Sequence, residues 1–127
     1  MVKYQVGDFT FELDLSEPLY GQILDQIRHA IARGDVQLGS KLPSVRDLAQ
    51  QLKLNPSTVM KAYQELERTE LCETRKGQGT YITTSEEKVL EIKKSLAKNA
   101  VLVFTNSMKD LGINRITAAE LLKEAEW

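Results

Sequence analysis

Residues 55–64 place short polar side chains and one cation just after a predicted helix start. Asn55 is a favourable N-cap residue, and Pro56 suits the first helical position, where its missing N–H would be unpaired in any case. Hydroxyl, amide and ammonium groups near a helix N-terminus are the groups that contact phosphates and base edges of nucleic acids. The segment therefore predicts a recognition helix, the alternative being an ordinary solvated helix face. Its exposed polar residues are Ser57, Thr58, Lys61 and Gln64.

A second short helix precedes this one and is separated from it by a brief turn. Pro43 forces an extended backbone, and Ser44 with Asp47 three residues later forms a capping box in which Asp replaces Glu. The helical spacing of apolar residues then breaks at Lys53. Two short helices linked by a turn predict a helix-turn-helix. The apolar positions are Val45, Leu48, Ala49 and Leu52 in the first helix, and Val59, Ala62, Tyr63 and Leu66 in the second.

A glycine-rich, basic connection follows the second helix. The flanking residues 71–75 and 80–84 are strand-like, so the segment predicts a β-hairpin. A tight turn alone would explain the glycines, because an isolated G-x-G is a weak phosphate signal. A tight basic turn also lets the backbone approach a phosphate or a minor groove, so the hairpin is interpreted as a wing. Its connection consists of Lys76, Gly77, Gln78 and Gly79.

At these residues the chain resembles the GntR family of bacterial winged-helix transcription regulators. The resemblance covers about two thirds of the chain, up to about residue 84. It implies a transcriptional regulator that binds double-stranded DNA. The motifs that carry it are Pro18-Leu19-Tyr20-x-Gln22-Ile23, Gly34, L-P-S-x-R-x-L-A at residues 42–49, Thr58-Val59, Ala62-Tyr63-x-x-Leu66 and Gly77-x-Gly79-Thr80-Tyr81-Ile82.

The resemblance also implies which residues contact DNA. Ser44 and Arg46 are expected to hold the backbone and the edge of the major groove. Taken alone, Arg46 also fits a surface cation paired with Asp47 or Glu67. The residues expected to touch DNA from the recognition helix are Asn55, Pro56, Ser57, Thr58 and Lys61, and those from the wing are Lys76, Gly77, Gln78 and Gly79.

Two positions depart from the family pattern. Many members carry an Arg that reads a base where this chain has Pro56, so that contact must be absent or relocated. Glu70 stands where the family usually has a Gly that ends the recognition helix. If that site is left-handed, Glu70 is held at some cost, because a Cβ is unfavourable in that conformation.

The charge balance is near neutral, with 17 basic and 18 acidic residues. A typical DNA-binding domain is more basic. Residues 41–84 nevertheless hold seven basic and five acidic residues, whereas residues 1–40 hold three and six. The predicted winged helix is thus the only basic part of the chain, and we expect a modest phosphate footprint with strongly salt-dependent affinity.

The elements around this segment are read from periodicity. Residues 9–15 alternate apolar and polar side chains and predict a short strand or an extended lead-in. Residues 18–33 predict a helix that ends at Gly34. Together with the two helices and the hairpin, they give a three-helix core with a wing.

The last region, residues 85–127, predicts two helices. Ser85 caps a long helix that reaches Leu111, and a second capping box at Thr117 and Glu120 predicts the start of a terminal helix. The centre of the long helix, residues 100–104, is apolar all round, so it needs cover on more than one side. Its β-branched residues would also suit a strand, but the uninterrupted helical pattern on both sides favours a helix. The terminal helix is expected to cover one side and a second subunit the other. The interface stripe is expected to consist of Val101, Phe104 and Met108.

This helical tail resembles the YtrA-like subgroup of the GntR family, which implies pairing through two C-terminal helices and regulation of a transporter operon. About 43 residues are too few for the effector-binding or aminotransferase-like domains of larger members.

Few residues offer other chemistry. His29 is the only histidine and Cys72 the only cysteine, so neither a metal site of ordinary spacing nor a catalytic triad can be assembled. A buried, inert thiol is the favoured interpretation of Cys72. The lone cysteine, the lack of a leader pattern and the lack of a long apolar run predict a cytoplasmic protein without a membrane partner. No catalytic residue, metal or cofactor is predicted.

The sequence therefore predicts a mainly α fold with a small β-hairpin. A winged helix-turn-helix DNA-binding domain is expected at residues 1–84, and a C-terminal two-helix dimerisation hairpin at residues 85–127. The expected function is sequence-specific transcriptional regulation, as a repressor that binds an inverted-repeat operator as a homodimer. The alternative from another class is a winged-helix protein-interaction module, which the near-neutral charge favours. An enzyme is the third and poorest alternative.

Overall fold

The computed structural model describes residues 1–127 as four strands and five helices. They group into two compact units, Met1–Lys93 and Lys94–Trp127, and one long helix runs from the first unit into the second. The fold is mainly helical, as predicted. In chain order the elements are β1 (Val2–Val6), β2 (Phe9–Leu13), α1 (Leu19–Arg33), α2 (Val45–Leu52), α3 (Pro56–Arg68), β3 (Cys72–Arg75), β4 (Gly79–Ile82), α4 (Glu86–Asp110) and α5 (Arg115–Glu124).

The N-terminal segment forms an antiparallel hairpin, of which the sequence predicted only the second strand. Val2 pairs with Leu13 and Val6 with Phe9. Alternate residues of β2 are buried, which produces the period-two pattern that indicated a strand. In β1 only Val6 is buried, so this strand carries no comparable signal.

Two glutamines of α1 fasten this hairpin to the helix core. The Gln26 amide accepts a hydrogen bond from the Glu12 N–H at 2.8 Å and donates one to the Glu12 carbonyl at 2.7 Å. Gln22, one helical turn earlier, makes the same pair of bonds to Asp14 at 2.8 and 2.9 Å. Because the side chains satisfy backbone groups at the end of β2, they fix where the hairpin lies against α1.

The helix-turn-helix forms as predicted. The Ser44 hydroxyl accepts a hydrogen bond from the Asp47 N–H at 3.1 Å at the start of α2, and the Asn55 side chain accepts one from the Ser57 N–H at 3.0 Å at the start of α3. Between them, Lys53 adopts a left-handed conformation with φ of +58° and ends α2.

The wing is a two-stranded hairpin, as predicted, and an isolated bridge from Lys41 to Tyr81 joins it to the segment before α2. β3 pairs with β4, with Cys72 opposite Ile82. At the bridge, the Leu42 N–H donates to the Thr80 carbonyl and the Ile82 N–H to the Ser40 carbonyl, each at 2.8 Å. These bonds attach the wing to the residues that lead into the helix-turn-helix.

The core of the first unit contains apolar side chains from β2, α1, α2, α3 and the wing, and no buried polar or charged residue. Val89 and Ile92 of α4 also pack against it, so the first turns of this helix support the first unit. A functional boundary after residue 84 remains a prediction.

In the second unit, α5 begins earlier than expected. The predicted capping box at Thr117 and Glu120 is wrong, because the Asn114 side chain accepts a hydrogen bond from the Thr117 N–H at 2.9 Å and starts the helix at Arg115. Asparagine is as good an N-cap as threonine, so the earlier cap prevails.

The terminal helix covers less of α4 than the sequence indicated. Val101, Leu102 and Val103 remain 62%, 55% and 59% exposed, and Ala118 is the only buried residue of α5. The apolar centre of α4 is therefore largely uncovered within a single chain.

The left-handed conformation considered for Glu70 is confirmed, with φ of +62°. The residue follows Thr69, the C-cap of α3, and its carboxylate lies 3.1 Å from the Lys88 ammonium. This exposed ion pair contributes little stability, whereas the Cβ in the left-handed region costs on the order of 1–2 kcal/mol.

We therefore expect Glu70→Gly to raise the free energy of unfolding by about 1 kcal/mol, because relief of the Cβ strain outweighs the added chain entropy of glycine. Urea denaturation measures the change. Glu70→Ala is the matched control, since it loses the same ion pair but keeps the Cβ and should gain nothing. A destabilised Glu70→Gly protein would contradict the strain argument.

Candidate nucleic-acid interface

The predicted recognition residues lie at the exposed start of α3. Asn55, Pro56 and Ser57 are exposed, and Thr58 is half-buried. The Ser57 hydroxyl donates to the Asn55 side-chain oxygen at 2.9 Å, so its oxygen remains free to accept while the Asn55 amide nitrogen remains free to donate. The helix start therefore offers both kinds of hydrogen-bonding group.

A hydrogen bond links α3 to the residues before α2. The Tyr63 hydroxyl donates to the Pro43 carbonyl at 2.7 Å, and burial raises the pKa of this phenol. Ser44, next in the chain, is thereby held at a fixed position relative to the recognition helix. Arg46, exposed in the first turn of α2, has no carboxylate within 4.0 Å, so the pairing with Asp47 or Glu67 does not form.

Lys61 is exposed and lies beside α1. Its ammonium is 5.0 Å from the centroid of the Tyr20 ring, a cation–π distance. This contact restrains a flexible side chain without neutralising its charge, because the ring contributes no formal charge. Lys61 therefore stays available to an anion or to a base edge acceptor.

The structure distinguishes free cations from paired ones. Arg68 pairs with Glu65, and this hydrogen bond lowers the pKa of the Glu65 carboxyl. Arg75 pairs with Glu73 at 3.0 Å. The remaining basic side chains of residues 41–84 have no carboxylate within 4.0 Å, and they are Lys41, Arg46, Lys53, Lys61 and Lys76.

The wing turn depends on its glycines. Gly77 and Gly79 have φ of +75° and +117°, which disfavours other residues. A Cβ at Gly79 would lie 2.7 Å from the Lys41 Cε, so the Lys41 side chain packs against this glycine. Sequence reasoning missed Lys41, because only the pairing of its segment with β4 brings it to the wing.

The wing also contains a stacked cation. The Arg75 guanidinium lies 4.0 Å from the centroid of the Tyr81 ring, in addition to its pairing with Glu73. Lys76 and Gln78 are exposed at the turn beside it. The turn therefore projects one uncompensated cation, that of Lys76.

Other chemistry is sparse. No group of three His, Cys, Asp or Glu side chains is close enough to hold a metal ion. Cys72 is buried, and burial raises the pKa of its thiol to about 12, so it stays a neutral thiol, as expected. None of the five helices combines the length and apolar character needed to cross a membrane.

Comparisons with known proteins agree with this geometry. The sequence profile described as "Bacterial regulatory proteins, gntR family" matches residues 19–82. The HTH-type transcriptional regulator YhcF of Bacillus subtilis (strain 168) is 43% identical over 108 residues, which cover 85% of this chain and 89% of that protein. The HTH-type transcriptional repressor YtrA of the same strain is 39% identical over 113 residues, covering 88% and 82%.

A solved structure shares the architecture as well. A GntR family transcriptional regulator from Listeria monocytogenes has a TM-score of 0.82 at 38% sequence identity, covering 90% of this chain and 100% of that chain. The matched profile spans α1 to β4, which are the elements that build the helix-turn-helix and the wing. The chain belongs to the GntR family of bacterial DNA-binding transcriptional regulators, which is a family of regulators and not of enzymes.

Proposed function

We propose that the protein is a repressor that binds an inverted-repeat operator as a homodimer. The observation that supports this best is the exposed start of α3, which offers hydrogen-bonding groups of both kinds. Lys53, just before this helix, and Lys61, in its second turn, have no carboxylate within 4.0 Å. The repressor role is supported by similarity to YtrA, which is named a transcriptional repressor and matches along most of both chains.

The proposed division of labour follows the positions of the side chains. Ser44 and Arg46 hold the major-groove backbone and edge. The recognition helix inserts its first turns, and the wing turn holds a neighbouring phosphate or minor groove. The residues assigned to the recognition helix are Asn55, Pro56, Ser57, Thr58 and Lys61, and those assigned to the wing are Lys76, Gly77, Gln78 and Gly79.

The second unit supplies the proposed subunit contact. Between α4 and α5 lies an open apolar groove of about 790 Å³, lined by Val101, Phe104 and Met108 on α4 and by Ala118 and Leu122 on α5. One recognition helix per chain reads only one half-site, so a specific operator requires a second copy. A two-fold contact through this groove buries the same stripe from both subunits.

We therefore expect selection from a random DNA pool to recover a palindromic consensus. Five uncompensated cations in each of two heads allow roughly ten phosphate contacts at most. Six to ten such contacts would reduce affinity by about 10³ to 10⁵ between 50 and 200 mM salt. Titration of a labelled consensus duplex at several salt concentrations measures this slope.

The alternative, a protein-interaction module without specific DNA binding, predicts a different result. Its support is the near-neutral total charge of the chain. Binding that is insensitive to ionic strength, or equal for all DNA sequences, would exclude the repressor proposal and favour this alternative.

A further inference from the structure

Met60 is the one large apolar side chain that the helix-turn-helix exposes. It lies in α3 and is 47% exposed, whereas the apolar residues on the core-facing side of this helix are buried. Contact with water does not stabilise an exposed thioether side chain, and an exposed position on a helix ordinarily carries a polar residue. Single exposed apolar residues are common on protein surfaces. Exposure of Met60 therefore indicates a function only if its position on the helix faces a binding surface.

That position is within the proposed DNA-contacting face. Met60 precedes Tyr63 by three residues, so the two lie on the same side of α3, and Tyr63 is bonded to the Pro43 carbonyl just before Ser44. Met60 also follows Pro56 by four residues. Lys61 leans the other way, towards Tyr20. The side of α3 nearest the start of α2 therefore presents an apolar pair, Pro56 and Met60.

The chemistry of DNA provides one matching group. Base edges in the major groove present hydrogen-bond donors and acceptors, and the only apolar group among them is the C5-methyl group of thymine. A methionine side chain has no donor and only a weak acceptor, but its three rotatable bonds let it adapt to an apolar surface. We propose that Met60 selects thymine at one position of each half-site by covering its methyl group; this inference rests on the proposed DNA-binding function.

The test uses the palindromic consensus recovered by selection. Each thymine is replaced in turn by deoxyuridine, symmetrically in both half-sites, which removes only the methyl group. We expect one such replacement to weaken wild-type binding by roughly fourfold per half-site, or about 15-fold in all, because each loses the burial of one methyl group. Met60→Ala should bind the thymine duplex with a comparable loss and should be unaffected by the same replacement.

Control measurements separate this contact from a general effect. Leu15→Ala truncates another exposed apolar side chain, outside the recognition helix, and should keep the full response to deoxyuridine. Thermal unfolding should be unchanged in both variants, because neither side chain is buried. Salt-sensitive, sequence-selective binding with the same deoxyuridine response in wild type and Met60→Ala would overturn the Met60 contact and leave the repressor proposal intact. A lack of sequence-selective binding would overturn both.

Discussion

A Phe104→Asp variant is expected to sediment as a monomer with a folded first unit. Phe104 lies in the apolar groove of the second unit with Val101 and Met108. Burying three such side chains in a partner stabilises a dimer by about 1.5 to 3 kcal/mol each. A carboxylate at the centre of this stripe would have to be desolvated in the interface without a partner. The cost of burying that charge adds to the loss of the apolar contact, so the dimer is destabilised by more than the contact alone contributes.

Operator affinity of this monomer should fall by about 10² to 10⁴-fold, because the second recognition helix is no longer tethered beside the first. The free energy of unfolding of the first unit should change little, since its core contains none of these residues. Analytical ultracentrifugation and duplex titration measure the two effects.

The matched control is Leu90→Asp. It introduces the same charge in the same helix at a residue that is 66% exposed and lies outside the groove. This variant should remain dimeric. An intact Phe104→Asp dimer at micromolar concentration would refute the assignment of the groove to the subunit interface.

Substitutions in the recognition helix are expected to change sequence preference, whereas substitutions in the wing are expected to weaken binding to all DNA sequences. Lys61→Ala or Thr58→Ala should lose preference at particular base pairs, by roughly 1 to 3 kcal/mol each if the contact is to a base. Lys76 projects from the wing turn without a carboxylate partner, so Lys76→Ala should weaken binding to all sequences. It should lower the salt slope by about one for each subunit, or about two for the dimer.

Measurement of affinities for the consensus duplex and for single-base variants, each at several salt concentrations, separates these two effects. Lys3→Ala, in β1, removes an exposed cation that lies outside the helix-turn-helix and the wing and pairs with Glu12 at 4.0 Å, and it serves as the control. Uniform loss across all duplexes for Lys61→Ala and Thr58→Ala would show that the recognition helix only clamps phosphates.

The sequence alone determined the helix-turn-helix. Its limits depend on residues that act within three or four positions of one another: Ser44 with Asp47, Asn55 with Ser57, and Pro56 at the first helical position. Gly34 ends the preceding helix, α1, through an equally local signal. Capping bonds of this kind join residues that are close in the sequence, so local spacing is sufficient to predict them. The wing hairpin was similarly predictable from its glycines.

The first strand and the position of Lys41 needed the tertiary structure. β1 carries almost no burial pattern of its own and is defined by its pairing with β2, which Gln22 and Gln26 fasten to α1. Lys41 lies beside the wing because its segment pairs with β4. Local spacing gives no measure of the pairing between Lys41 and Tyr81, because whole helices separate the two residues and only the packed core fixes their approach. β1 lies next to β2 in the sequence, but with Val6 as its one buried residue it has no alternating pattern to reveal it.

The charge of the proposed DNA interface was likewise predicted in part from the sequence and decided in part by the tertiary structure. Counting residues predicted a basic winged helix, and that count includes Arg68 and Arg75. In the structure, Glu65 and Glu73 neutralise these two. The cations left without a carboxylate partner lie in and after α2, in the second turn of α3, and at the wing, and they are Arg46, Lys53, Lys61, Lys41 and Lys76. Likewise the apolar character of residues 100–104 was evident from the sequence, but whether α5 covers them depends on the packing of two helices. Side-chain identity determined which groups are available, and the tertiary structure decided which of them remain exposed, because pairing and burial depend on distances in space.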